Sequence, residues 1–311
     1  MRTSGKRIIV IGELNVDVVA SGLSRAPRLG QEILASDFQL SLGSASAIFA
    51  CGAAKLGHNV TFVSIVGRDE FGDFCLQELT RSGISTRHVI RDKNLRTGVT
   101  VSLSTINDRA LVTYPGAIAA VGSHLLQKSV LAKQDHLHMT SYFLQTSLRS
   151  SFAKIFADAK KRGLTTSFDP NSDPSQTWDA EDLKDVLAQT DVLFVNKTEA
   201  LKLTRTRNTK GALRALSELV PCAVIKLAAE GSIAIEKGEI TPAPPFKVTV
   251  KDTTGAGDSF AAGFVSSYVS GNNLAESLRS ANACGALSTR KAGGTESQPN
   301  AKELKKFLKD S

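Results

Sequence analysis

From Gly122 onward the chain alternates short strand-like runs with longer helical stretches, and this alternation constrains the fold more than any other feature. The runs 136–139, 164–168, 191–195 and 223–227 are separated by segments of helical period. Strands that alternate with helices belong to a parallel sheet covered on both faces. Two earlier runs, 7–12 and 60–66, are apolar and β-branched and join the same set. Helices are expected at 45–56 with Gly57 as the residue just past the end, and at 71–81 before Gly83. Ser150 or Ser151 caps a helix ending at Gly163, and Asp179 caps another. A hairpin is expected at 232–240 around Lys237 and Gly238, then a Pro-rich connector at 242–245 and a strand-like run at 246–250. Two apolar helices at 259–269 and 274–291 and a terminal helix after Pro299 close the chain.

Four other segments, 15–21, 31–41, 98–104 and 110–114, are half-polar. The last two flank Asn107 and Asp108, a hairpin turn signal. Half-polar strands need one solvated face, so they do not fit a doubly covered sheet. They are expected to pair into a small second sheet, inserted at about 13–42 and 96–117, within one domain spanning 1–311.

The 311 residues, 41% hydrophobic and 22% charged, exclude a disordered chain, a collagen-like chain and a coiled-coil rod. A formal charge of +8 favours anionic partners. The basic residues are dispersed, however, and are locally dense only at 202–210 and 302–309. Aromatics are 6%, with one Trp and three Tyr, too few for nucleic-acid stacking platforms, so no nucleic-acid partner is expected. No stretch reaches the roughly eighteen apolar residues of a membrane span, and the start of the chain lacks a secretory core. A cytoplasmic protein with no membrane partner is expected. Cys51, Cys75, Cys222 and Cys284 are far apart and form no CxxC pair, which reads as buried reduced thiols.

The sharpest motif is KDTTGAGDSFAAGF at 251–264, which opens the first of the two apolar helices. Gly255 and Gly257 allow a tight turn and leave backbone N–H groups unobstructed. At a helix N-terminus such groups form an anion site. Asp258, beside it, is placed to accept a proton from an attacking hydroxyl. A plain reading stands next to this one: a tight turn, with Asp258 stabilising the first helical turn. The dinucleotide fingerprint would need Gly at Phe260, and no GxxxxGK[ST] occurs.

This run resembles the C-terminal signature of the ribokinase-like (PfkB) carbohydrate kinase family. The resemblance extends to Asn15 and Asp17 in an N-x-D, to Gly67, Asp69 and Gly72 in a G-x-D-x-x-G, and to Asn196 and Glu199 in an N-x-x-E. It implies an α/β fold, a ribokinase-like three-layer α/β/α core with a mostly parallel central sheet and a small β-sheet lid. It implies an ATP-dependent kinase that transfers the γ-phosphoryl group to a hydroxyl of a sugar or sugar derivative. By resemblance Asp258 is the general base, and Gly255, Ala256 and Gly257 offer N–H groups to the transferring phosphoryl. Asn15, Asp17, Gly43 and Ser44 would bind the sugar-like acceptor. Asn196, Glu199, Lys226, Gly231 and Asn282 would serve the nucleotide, with Glu199 on Mg²⁺ through water. Asp252 is a candidate for a monovalent cation such as K⁺. A homodimer through the lid is a further expectation.

Two departures stand out. The family's Gly-Gly and Asn become Gly43, Ser44 and Ile48 in GSASAI, and Ile cannot bind a sugar hydroxyl. In KLAAEG at 226–231, Ala228 stands where Gly is common. The Ile48 departure keeps open a nucleoside kinase of the same family; a non-catalytic sugar-binding regulator is the other alternative, and the retained Asp258 and intact GAGD run speak against it. His136 and His138 have metal-like spacing, but no further His or Cys pairs with them in sequence, so a structural or substrate-facing strand is favoured. Asp169 and Asn171 fit a cleft residue and an Asx turn equally. Arg109, beside the hairpin tip, reads as a solvated turn charge rather than a substrate contact.

Overall fold

The structure, a computed structural model, describes residues 5–105, 108–127, 129–178 and 183–311. After β1 (Arg7–Ile11) the chain leaves the core for β2 (Asn15–Leu23) and β3 (Asp37–Leu42). It returns through α1 (Ala45–Lys55), β4 (Asn59–Gly67), α2 (Glu70–Arg81) and β5 (Val89–Asp92). A second excursion forms β6 (Gly98–Thr105) and β7 (Arg109–Tyr114). The βα alternation follows with β8 (His136–Thr140), α3 (Phe152–Lys161), β9 (Thr165–Asp169), α4 (Leu183–Ala188) and β10 (Val192–Asn196). Next come α5 (Lys197–Thr204), α6 (Thr209–Ser217) and β11 (Cys222–Lys226). The hairpin β12 (Ser232–Glu236) and β13 (Glu239–Ala243) precedes α7 (Ala256–Tyr268), α8 (Leu274–Ser288) and α9 (Ala301–Asp310).

The core sheet has the order β13-β12-β11-β10-β9-β8-β1-β4-β5. Its pairs are parallel except at the β11–β12 and β12–β13 edge. Alternate side chains of one strand feed opposite cores. Ile9 and Ile11 pack with Leu193, Val195, Ala223 and the face of α3 and α6. Ile8 and Val10 pack with Phe194, Val224 and the face of α1, α7 and α8. Two apolar layers on one sheet give the α/β/α arrangement, and the half-polar segments form the second sheet, ordered β3-β2-β6-β7.

β1 lies between β4 and β8, and the chain winds away from it in both directions. Ligand crevices of open α/β sheets form at such a reversal, beyond the C-terminal ends of the strands. Register brings those ends level. Ile11 pairs with Met139, Thr140 with Asp169, and Asn196 with Lys226.

Several local expectations change. Residues 31–36 lie outside β3, whose ladder with β2 ends at the Ser21–Asp37 pair. Residues 246–250 form no strand. Pro244 and Pro245 supply no N–H to continue the ladder beyond Ala243. Pro242 lies within edge strand β13, where proline is tolerated, rather than in a connector. Ser151 makes no side-chain capping bond, because a 3₁₀ turn at Arg149–Ser151 leads straight into α3. α8 ends at Ser288, short of 291, with Thr289 closing it. Asn107 and Asp179 fall outside the described residues. All four cysteines are buried and unpaired, and burial pushes their thiols up.

Candidate active site

The site is built around the start of α7. Gly255, which precedes the helix, has φ 68°. A Cβ there would lie 2.9 Å from both the Gly294 Cα and the Ile48 Cγ2. Both the left-handed backbone and the space exclude a side chain. The Ala256 N–H turns back on Thr253 O at 3.2 Å, and the N–H groups of Gly255 and Gly257, with the helix dipole, favour an anion. Asp258 sits in the first turn of the same helix.

Lys226, the last residue of β11, reaches this turn. A Cβ on Gly257 would lie 3.2 Å from its Nζ. The ammonium donates to Asp169 Oδ2 at 2.5 Å, joining the ends of β11 and β9. Burial alone would lower the Lys226 pKa, but Asp169, Glu199 and Asp258 together push it up to about 12. Burial also pushes Asp258 up to about 7, helped by repulsion from Asp169, Glu13 and Glu199 and opposed by Lys226. A carboxylate that titrates near neutrality beside a fixed cation and an anion-binding turn suits general-base work.

The acceptor candidates gather at the end of β1 and the start of β2. Asn15 is buried, and its Nδ2 donates to Asp17 Oδ1 at 3.3 Å. Burial pushes Asp17 up to about 6, against the pull of Arg109 and Asn15. Gly43 lets these two side chains close in, since a Cβ would meet Asp17 Oδ1 and lie 2.6 Å from Asn15 Nδ2. Ser44 caps α1, accepting from Ala47 N at 3.0 Å, and takes φ 74°. Ile48 is 3% exposed and packs behind the Gly255 turn and Gly294, so its influence on an acceptor would pass through that turn.

Arg109 is not simply a solvated charge. From β7 it spans the cleft, and its Nη1 donates to Thr254 Oγ1 at 3.0 Å, next to the anion turn. Asp69 anchors the lid to the core. It caps α2 through Gly72 N at 2.8 Å and accepts from Thr97 N, just before β6, at 2.8 Å.

Asn196 and Glu199 form a capping box on α5, with Glu199 Oε2 accepting from Asn196 N at 2.7 Å and Asn196 Oδ1 accepting from Glu199 N at 2.9 Å. N-x-x-E is thus also a helix start, and the buried Glu199 charge acts on the cleft from behind that turn. Gly231 has φ 89°, and Ala228 takes the left-handed φ of 52° where Gly would be unstrained. Asn282 Nδ2 donates to Ala243 O at 3.1 Å and Pro244 O at 2.9 Å, tying α8 to the end of β13. Asp252 bridges two segments: Oδ1 accepts from Thr254 N at 2.9 Å, and Oδ2 accepts from Gly293 N at 3.0 Å.

His136 and His138 are fully enclosed and share the Ser167 hydroxyl, each at 2.7 Å. Burial lowers the pKa of both rings. Among the described residues no three His, Cys, Asp or Glu side chains converge to hold a metal.

Two parts of the cleft escaped sequence reasoning. Asp169 fits two roles equally by sequence, although its place at the end of an expected strand is a usable signal. Glu13 follows strand-ending Gly12 and is buried beside Ser44, Ser46 and Ser141. Nothing in its sequence context distinguishes it from a surface acid.

The pfkB family carbohydrate kinase profile matches residues 6–301. The chain is 29% identical over 313 residues to the ribokinase of Haemophilus influenzae, covering 97% of this chain and 98% of that relative. It is 29% identical to the 2-dehydro-3-deoxygluconokinase of Bacillus subtilis, over 88% of each chain. Among solved structures, a protein from E. coli assigned as a ribokinase II, in complex with ATP and Mg²⁺, superimposes with a TM-score of 0.87. That pair is 25% identical over 98% of this chain and 100% of the other. A profile match from the first strand to the last helix, on a sheet whose strand ends carry the motif residues to one rim, has one consequence: the chain belongs to the pfkB family of carbohydrate kinases.

Proposed function

We propose that this carbohydrate kinase transfers the γ-phosphoryl group of ATP to a hydroxyl of a sugar or sugar derivative, with Asp258 as the general base. The observation that carries the reading is the Asp258 carboxyl, raised to about 7 in the first turn of a helix whose N-terminus is open to an anion. Asp258 takes the hydroxyl proton as the acceptor oxygen attacks phosphorus, and the bond to the ADP oxygen breaks. The N–H groups of Gly255 and Gly257 and the Lys226 ammonium stabilise the charge on the transferring group.

The donor set also suits Mg²⁺ carried by the nucleotide. Glu199 would hold it through water, since Mg²⁺ keeps much of its hydration, and the ion would neutralise phosphate charge. Asn282 and Gly231 would border the nucleotide, and Asn15, Asp17 and Gly43 the acceptor. Arg109 on Thr254 would draw the lid over the cleft and exclude water. The lid also exposes Phe38, Val112 and Tyr114, apolar surface that a second copy of the chain would cover.

The test is an ADP-release screen with Mg²⁺-ATP over neutral sugars, sugar acids, sugar phosphates and nucleosides. Saturable turnover with a sugar class is expected. Turnover confined to nucleosides would replace the acceptor. Sugar binding without turnover would leave a regulator on this scaffold.

A further inference from the structure

Glu13 is 1% exposed, yet its carboxylate has only hydrogen-bond donors around it. Oε1 accepts from Ser46 N at 3.1 Å and Ser141 Oγ at 2.9 Å, while the Ser44 hydroxyl, 3.3 Å from Oε1, donates to the Glu13 carbonyl oxygen at 2.5 Å. Oε2 accepts from Ser46 Oγ at 2.7 Å. An acceptor-only pattern of this kind is that of a carboxylate. Glu13 takes part in none of the ion pairs among the described residues. Its charge is met instead by the N-terminus of α1, whose first-turn Ser46 N–H points at it. A helix N-terminus is a ready anion site, and in this chain the protein's own carboxylate fills it. Gly12 makes the arrangement fit, because a Cβ there would collide with Ser46 Oγ.

The same turn borders the acceptor candidates. Gly43 abuts Asn15 and Asp17, and Ser44 beside it caps α1 and contacts Glu13. Glu13 also lies within electrostatic reach of Asp258. Of the nearby cations, Lys226 is paired with Asp169, and the Arg109 charge acts on the Asp17 carboxylate. We infer that Glu13 is a specificity-determining residue. By filling the α1 anion site it makes the acceptor site select an uncharged, polyhydroxylated acceptor over its carboxylated or phosphorylated counterpart. This rests on the kinase reading above and narrows it to one substrate class. An anionic group at this rim would meet a filled helix N-terminus and a second negative charge.

The test compares matched pairs: ribose with ribonate, and fructose with 2-ketogluconate and fructose 6-phosphate. It uses the full-length wild type and the near-isosteric Glu13→Gln, measuring kcat/KM for each acceptor and KM for ATP. Wild type is expected to favour the neutral member of each pair. Glu13→Gln should shrink that preference on the order of tenfold, the effect of one nearby charge at an effective dielectric of about 20, with the KM for ATP unchanged. A wild-type preference for the anionic members overturns the inference, as does an unchanged ratio in a folded Glu13→Gln. Calorimetry of wild type with the same sugars and a non-hydrolysable ATP analogue needs neither turnover nor the variant. Equal or tighter binding of the anionic members there, or no binding of any neutral one, also overturns it. Selective binding of the neutral sugars without ADP release would instead leave the selectivity standing and remove the kinase reading.

Discussion

The Lys226 ammonium lies 2.5 Å from the Asp169 carboxylate and, on its other side, against the first turn of α7 at Gly257. The pair ties the ends of β11 and β9 to the helix that carries Asp258. Removing one partner of a buried pair leaves the other uncompensated, at a cost of about 3–5 kcal/mol. Lys226→Met should therefore lose stability of that order in urea unfolding, and Lys226→Met with Asp169→Asn should recover most of it. Turnover should fall by roughly 10²–10³ in both, since the cation proposed to face the phosphoryl group is gone. A double variant with restored turnover would make the pair purely structural.

The Asp258 value implies a pH profile with a definite sign. A base works when deprotonated, so kcat/KM should fall as pH drops through about 7. Lys226 opposes the upward shift, so Lys226→Met should move the midpoint to higher pH. A profile flat from pH 5 to 8 would remove Asp258 as the titrating base.

How much of this was legible in the sequence follows from which interactions are local. The βα alternation and the half-polar segments are periodic patterns, and both sheets match them. The turn at Gly255 is a local backbone demand, readable from GAGD. The failures are contacts between residues distant in the chain. Arg109 and Thr254 are 145 positions apart, and Glu13 and Ser141 are 128 apart. No spacing rule links such pairs, so Arg109 looked solvated and Glu13 carried no signal. Pro244 and Pro245 end the ladder, and this outweighs the strand-like pattern of 246–250.

Arg109→Ala tests the lid. Its loss removes a surface contact to Thr254, so stability should change by only about 0.5 kcal/mol. The acceptor KM should nevertheless rise about tenfold, the loss of one charge-assisted hydrogen bond holding the closed lid. An unchanged KM would return Arg109 to the solvent-exposed role its sequence context suggested.

Asp252 joins Thr254 to Gly293, and the carbonyls of these two segments are the candidates for holding K⁺. Such an ion would fix the turn whose N–H groups meet the developing charge. With Mg²⁺ saturating and ionic strength constant, kcat should be higher in potassium than in sodium or a bulky organic cation. Equal kcat and KM in all three salts would leave Asp252 as a local cap.

The most direct test of the account is Asp258→Asn, assayed for ADP release with the acceptor that the wild type prefers and, separately, for ATP binding. The account predicts that turnover falls by roughly 10²–10⁴, while the ATP dissociation constant changes little because the N–H groups of the α7 turn remain. Turnover near the wild-type value in the folded variant would contradict it, and the base would have to be sought elsewhere in the cleft.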